Sequence, residues 1–113
     1  MTKIVIFKNK KFLTGFEVSG HTGYAEEGSD IVCSAISSMT QMTIVGLQQV
    51  LKIRLNVKKD NKKGYLLCKL SKDISDNEIL KAQDILQTLQ ISLEDVEKDF
   101  KKYINMEVKD EIY

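Results

Sequence analysis

"FLTGFEVSGHTGYAEEGSDIVCSAIS", residues 12–37, changes its hydrophobic period midway. Its first residues put Phe12, Thr14, Phe16 and Val18 on one side of an extended chain, the period-two pattern of a half-buried strand. From His21 to Gly28 the chain is mostly polar and rich in glycine. Beyond that loop, apolar or small residues return at Val32, Ala35, Ile36, Met39, Met42, Gly46, Leu47 and Val50. Those steps of three and four predict a helix of about 20 residues, with Ser29 or Asp30 as its N-cap. A strand that gives way to a helix restricts the fold to a mixed class, and the flanking segments decide which one.

Upstream, "KIVIF" and the polar "KNKK" make the first strand one arm of a β-hairpin. Downstream, "KIRLNVKK" alternates Ile53, Leu55 and Val57 with Arg54, Asn56 and Lys58, and "DNKKG" turns the chain into "YLLCKL", a second hairpin. Ser75 and Glu78 then stand at capping-box spacing. They precede an apolar stripe at Ile79, Ala82, Leu86, Leu89, Leu93, Val96, Phe100 and Tyr103. This is one long helix, or two broken near Ser92. A short strand, "INMEV", with Ile104, Met106 and Val108 on one side, closes the pattern, and "KDEIY" reads as a loose tail. Two β-hairpins each followed by a helix, ββαββα with that short final strand, predict an α+β fold in which two helices pack on a largely antiparallel sheet.

The chain has 113 residues, enough for one core and too few for two, so residues 1–113 are read as a single domain. Seventeen Lys and Arg nearly cancel 16 Asp and Glu, leaving a net charge of +1. No direct nucleic-acid binding or pull toward an anionic membrane is expected from that balance. "MTKIVIFKNKKF" lacks the apolar run and cleavage site of a signal peptide, and no stretch approaches ~18 uninterrupted apolar residues, so the expected location is cytoplasmic, without membrane association. In that compartment both cysteines, Cys33 and Cys68, are expected to be reduced thiols.

His21, the only histidine, and Cys33 lie at opposite ends of the loop. Near a helix start, unpaired N–H groups and the helix dipole favour the thiolate, which is the nucleophilic form of cysteine. Gly20, Gly23 and Gly28 permit backbone angles that fold the end of the strand over the start of the helix. An imidazole brought there can take the thiol proton and return a proton to a leaving amine. On residue types alone the alternative stays open: Cys33 as a small core residue and His21 as a turn residue. No metal site is expected, because one histidine and two cysteines without a CxxC pair do not complete an ordinary zinc set. No cofactor is expected either.

The whole stretch carries more than the pair. "GHTGYAEEGSDIVCSAIS" resembles the signature of the Prp family of ribosomal-processing cysteine proteases, GH-x-x-Y-x-x-x-G-x-DIVC-[AS]-A-[VI]-S. The resemblance continues weakly through the second hairpin and "LQTLQISLEDVEKDFKKYI". Ser34 and Ser92 depart from the commoner Ala and Gly of the family. The resemblance implies that Cys33 is the nucleophile and His21 its general base. It further implies a homodimer that removes the N-terminal extension of a large-subunit ribosomal protein, the one numbered twenty-seven, after a pair of aromatic residues. Asp30 and Ser37 match the motif in supporting positions. Asp30 either caps the helix or orients His21; Ser37, four residues after Cys33, either reaches the dyad or merely permits close packing. Tyr24 and Glu26 are substrate contacts or solvated loop residues.

Other features carry structural expectations. Cys68 shares a face with Leu66 and Leu70 and reads as a buried structural thiol. Met39 and Met42 read as core, and the lysines of "VKKDNKK" as a solvated turn. The stripe from Ile79 to Tyr103, longer than a four-stranded sheet needs, or a face of the first helix, is expected to support the homodimer. The loop Thr22–Ser29 is expected to be mobile until it orders over substrate. A non-catalytic ribosome-associated binding module and a thiol redox sensor are the competing functions.

Overall fold

In the computed structural model, residues 1–20 and 29–111 are described, with Ser29 and Asp30 by backbone alone. Strands β1 (Thr2–Asn9) and β2 (Phe12–Ser19) are followed by helix α1 (Ser29–Val45) and a π-helical turn over Gly46–Val50. Strands β3 (Leu55–Asp60) and β4 (Tyr65–Leu70), helix α2 (Asp76–Asp99) and strand β5 (Ile104–Asp110) complete the order. The five strands form one sheet in the order β3-β4-β2-β1-β5. All pairs are antiparallel except β1 with β5. The expected α+β arrangement is therefore present, and the final strand is a full parallel partner of β1 along its length.

The sheet's two faces differ in how they are covered. Ile4, Ile6, Phe16, Val18, Leu66, Cys68 and Leu70 join Val32, Ile36 and Leu47 of the first helix in a single core cluster. Ala82, Leu86, Leu89 and Leu93 of α2 belong to the same cluster, so both helices pack on one face. Val5 and Phe7 alternate to the opposite face and are buried as well, although outside that cluster. There Phe7, Gly15 and Lys69 form one cross-strand row. Gly15 leaves the space through which the Lys69 ammonium sits 4.3 Å from the centroid of the Phe7 ring. A side chain on Gly15 is excluded, because its Cβ would lie 2.3 Å from the Cys68 carbonyl oxygen.

The alternation expected through β2 is broken by a bulge. Phe7 pairs with Gly15, but Lys8 pairs with Leu13, so Thr14 is the extra residue. Leu13 joins the core in consequence, while Phe12 is only half-buried. The bulged backbone finds its partner in α2: the Leu13 N–H donates to Gln83 Oε1 at 2.7 Å, and Gln83 Nε2 donates to the Leu13 carbonyl at 2.9 Å. A buried glutamine thus does for Leu13 what a neighbouring strand would do.

Helix α2 is continuous through Ser92 and starts with the anticipated capping box. Glu78 N–H donates to Ser75 Oγ at 3.1 Å, and Ser75 N–H donates to Glu78 Oε1 at 3.1 Å. Its apolar stripe is covered within the chain, since Ala82, Leu86, Leu89 and Leu93 are buried and Val96, Phe100 and Tyr103 pack against the cluster. Met42 is a further correction: at 69% exposed it is a surface residue, whereas Met39 packs on the core. The tail is also tied down as far as Glu111, whose N–H donates to the Lys8 carbonyl at 2.7 Å and whose carboxylate pairs with Lys69.

By length and composition, Ile31–Val50 could cross a membrane. In this fold Val32, Ile36, Thr40 and Leu47 of that segment are buried in packing within the chain.

Candidate active site

Strand β2 ends next to the start of β1. Gly20, the last described residue before the loop, has φ +79°, in the left-handed region that favours glycine. A Cβ there would also lie 2.7 Å from the Met1 carbonyl oxygen. Two independent constraints therefore demand glycine at the position directly before His21. His21, Gly23, Tyr24, Glu26 and Gly28 lie outside the described residues. The expected mobility of Thr22–Ser29 and the approach of His21 to Cys33 fall there as well.

Helix α1 includes Ser29 and Asp30 as its first two residues, which places both inside the helix where the sequence suggests a cap. Cys33 comes one turn later. It is 9% exposed and stands outside the core cluster formed by its neighbours Val32 and Ile36. Ser34 and Ser37 are exposed on either side of that boundary. Ser37 and Cys33, four residues apart, occupy the same helical face.

Cys68 is buried more deeply. It pairs with Phe16 across the β2–β4 ladder, is 1% exposed, and belongs to the cluster. Burial alone pushes its thiol up to about 12 from the ordinary 9.0, so it is a neutral apolar residue at neutral pH. Neither cysteine is in a disulfide.

Beside Ser37 a recess of about 160 Å³ opens between α1 and the end of the β3–β4 hairpin. Val18, Ile36, Thr40 and Leu66 line it, with Gln41 and Lys59 among the remaining lining residues. The sequence offers no direct signal for this recess, because its walls come from three separate segments.

Comparisons with known proteins agree with this architecture. Over residues 1–105 the chain matches the family described as cysteine protease Prp. It is 26% identical over 97 residues to the ribosomal processing cysteine protease Prp of Bacillus subtilis, covering 80% of this chain and 81% of that protein. With the protein of the same name from Staphylococcus aureus it shares 28% identity over 97 residues, 86% of this chain and 88% of the relative. The fold superimposes with a TM-score of 0.84 on the crystal structure of an essential ribosomal processing protease Prp from S. aureus in complex with a substrate peptide. That match has 24% identity and covers 96% of this chain and all of the other. A Streptococcus mutans protein matches at TM-score 0.86 and 19% identity, over 98% of this chain and 96% of its own. With a family match across nearly its entire length, on an α+β scaffold of one five-stranded sheet and two helices, the chain belongs to the Prp family of cysteine proteases.

Proposed function

We propose that this cysteine protease removes the N-terminal extension of a large-subunit ribosomal protein, the one numbered twenty-seven, with Cys33 as nucleophile and His21 as general base. The observation that supports the reading is the difference between the two thiols: Cys68, 1% exposed, belongs to the central core cluster, whereas Cys33, buried at 9% exposed, lies one turn into α1 and is not a member of that cluster. The names of the relatives, ribosomal processing proteases in both organisms, supply the class of substrate.

In the reaction, His21 takes the Cys33 proton and the sulfur attacks the scissile carbonyl carbon. Backbone N–H groups of the first helical turn, which have no intrahelical partners, serve as donors to the oxyanion. Collapse of the tetrahedral species expels the amine of the downstream peptide, which leaves with a proton from the imidazolium. Water then attacks the thioester, His21 accepting its proton, and the upstream peptide departs as a carboxylate while Cys33 is restored. Ser37 supports this site from the next turn, and Asp30 from the first. Processing takes place in the cytoplasm, and the working unit is a homodimer.

The test is incubation with the extended ribosomal protein, followed by mass spectrometry. The wild-type chain yields one truncated product and Cys33→Ala yields none while retaining the native circular dichroism spectrum. Processing by a clean Cys33→Ala preparation removes Cys33 from the mechanism.

A further inference from the structure

We infer that the exposed β3–β4 hairpin is a docking surface for the phosphate backbone of double-helical RNA. The charge of the hairpin stands by itself; its use, holding the enzyme beside RNA that carries a ribosomal-protein substrate, rests on the protease reading above.

The whole-chain charge of +1 conceals a division. From Lys52 to Lys72 the chain has eight basic residues and one acidic residue, a net +7, while the remainder has nine basic and 15 acidic, a net −6. The fold keeps the two parts apart. Strand β3 is one edge of the sheet, whereas α2, with seven acidic and two basic residues, packs on β2 and β5. A polyanion is therefore drawn to the hairpin and repelled by α2.

Much of the positive charge is uncompensated. Arg54 pairs with Asp73, and Lys69 with Glu111. Among the described residues no salt bridge engages Lys52, Lys58, Lys59, Lys62 or Lys63, and all five are exposed. Asp60, the one carboxylate of the segment, turns back to the backbone: its Oδ1 accepts from the N–H groups of Lys62 at 3.1 Å and Lys63 at 3.2 Å. Lys58 stands opposite Leu67 and Lys59 opposite Leu66 in the ladder, so their side chains leave by opposite faces. Lys59 and Asn61 share a recess with Ser37 of α1, and the basic edge thus borders the helix that bears Cys33.

Composition selects the partner. Lysine is depleted in protein–protein interfaces. A lipid surface needs an apolar anchor beside the charge, and Val57 is the one large apolar residue exposed in this segment. A phosphate backbone attracts lysine without either requirement. Tyr65, the segment's one aromatic residue, is half-buried with its hydroxyl donating to Glu17 Oε2 at 2.7 Å, and Arg54 is held by Asp73. With no free ring to stack on unpaired bases and no free guanidinium to read a base edge, the hairpin takes the backbone of a duplex.

The experiment follows the fluorescence anisotropy of a labelled RNA duplex of mixed sequence, about 16 base pairs long. Wild type binds it, and the affinity falls about 100-fold between about 50 and 200 mM KCl, the dependence of about four phosphate contacts. In the full chain, Lys58→Gln/Lys62→Gln/Lys63→Gln lowers the affinity at least tenfold at the lower salt and flattens the salt dependence. Its circular dichroism and its cleavage of a short substrate peptide are unchanged. Lys81→Gln/Lys98→Gln/Lys101→Gln removes three charges from exposed positions on and just after α2, and alters RNA affinity less than twofold. Equal losses in the two triple variants, or wild-type affinity in the first, overturn the surface. Tighter binding to polyglutamate, to phosphatidylserine vesicles or to a DNA duplex of the same sequence overturns the choice of partner. If wild type cuts the extended ribosomal protein but binds no RNA, the surface falls and the protease reading stands. If it binds RNA as described and cuts nothing, the surface stands and the protease reading falls.

Discussion

Cys68 is packed opposite Phe16 in the middle of the sheet, and the raised pKa of its thiol has a consequence for stability. A folded-state value near 12 against an ordinary 9.0 means that the neutral thiol's contribution is whole below pH 9 and is lost as pH rises toward 12. Cys68→Ala leaves a small void and costs about 1–2 kcal/mol at pH 8, with protease activity retained. At pH 10.5 the gap in urea midpoint between wild type and variant narrows, because only the wild-type unfolded chain gains a thiolate at this position. Equal gaps at both values would contradict the burial argument. Gly20 yields a second expectation. Alanine there meets both the left-handed backbone and the Met1 carbonyl, so Gly20→Ala loses about 2 kcal/mol or more in urea unfolding. It also lowers peptide cleavage further than stability alone accounts for, since His21 is the next residue.

Among the elements, β2 shows where periodicity stops being a guide. Both hairpins, both helices and the α2 capping box are legible because each follows a local rule, whether alternation, three-four spacing or Ser-x-x-Glu. The bulge at Thr14 follows none, and it moves Leu13 into the core in place of Phe12. Its only sequence trace is Gln83, a polar residue at the inward spacing of four from Ile79 in an otherwise apolar stripe. That glutamine also donates to the Ile79 carbonyl at 3.0 Å, which fixes its amide toward the strand. Gln83→Met, close in volume, leaves the Leu13 N–H and carbonyl unpaired in the core, at an expected cost of about 2–3 kcal/mol. The measurement is a urea midpoint with an unchanged m-value. A variant as stable as wild type would mean that the bulge does not depend on α2. The candidate site was legible to the same degree as the elements that hold it. The helical position of Cys33 follows from spacing, whereas the recess beside Ser37 depends on how a strand, a helix and a hairpin meet.

At the scale of the whole molecule, much of the apolar surface left over after folding lies on the helices, with Val57 of β3 and Val108 of β5 exposed on the sheet. The α2 stripe, read from sequence as too long for its sheet, finds its cover there because β5 widens the sheet beside β1. Among the exposed apolar residues are Met42 at 69% and Val45 at 44% on α1, and Ile91 at 60% on α2. Between the helices runs a groove of about 320 Å³, lined among others by Met39, Met42, Gly46, Ile85 and Leu89. Gly46 lets the helices close to 3.0 Å between its would-be Cβ and the Ile85 side chain, so the groove has a firm floor. Exposed apolar side chains beside a groove of this kind favour association, and a two-fold pairing would set Met42 and Ile91 of each copy against the other helical layer. Light scattering at micromolar concentration is expected to give twice the mass of the chain. Met42→Glu and Ile91→Lys, each at a position exposed in the single chain, should yield monomers with unchanged circular dichroism, because the new charge is solvated in the monomer and buried in the dimer. The double variant should recover part of the dimer if the two positions meet across the interface. A wild-type chain of monomeric mass would remove the pairing, and dimers that persist in both single variants would move it to another face.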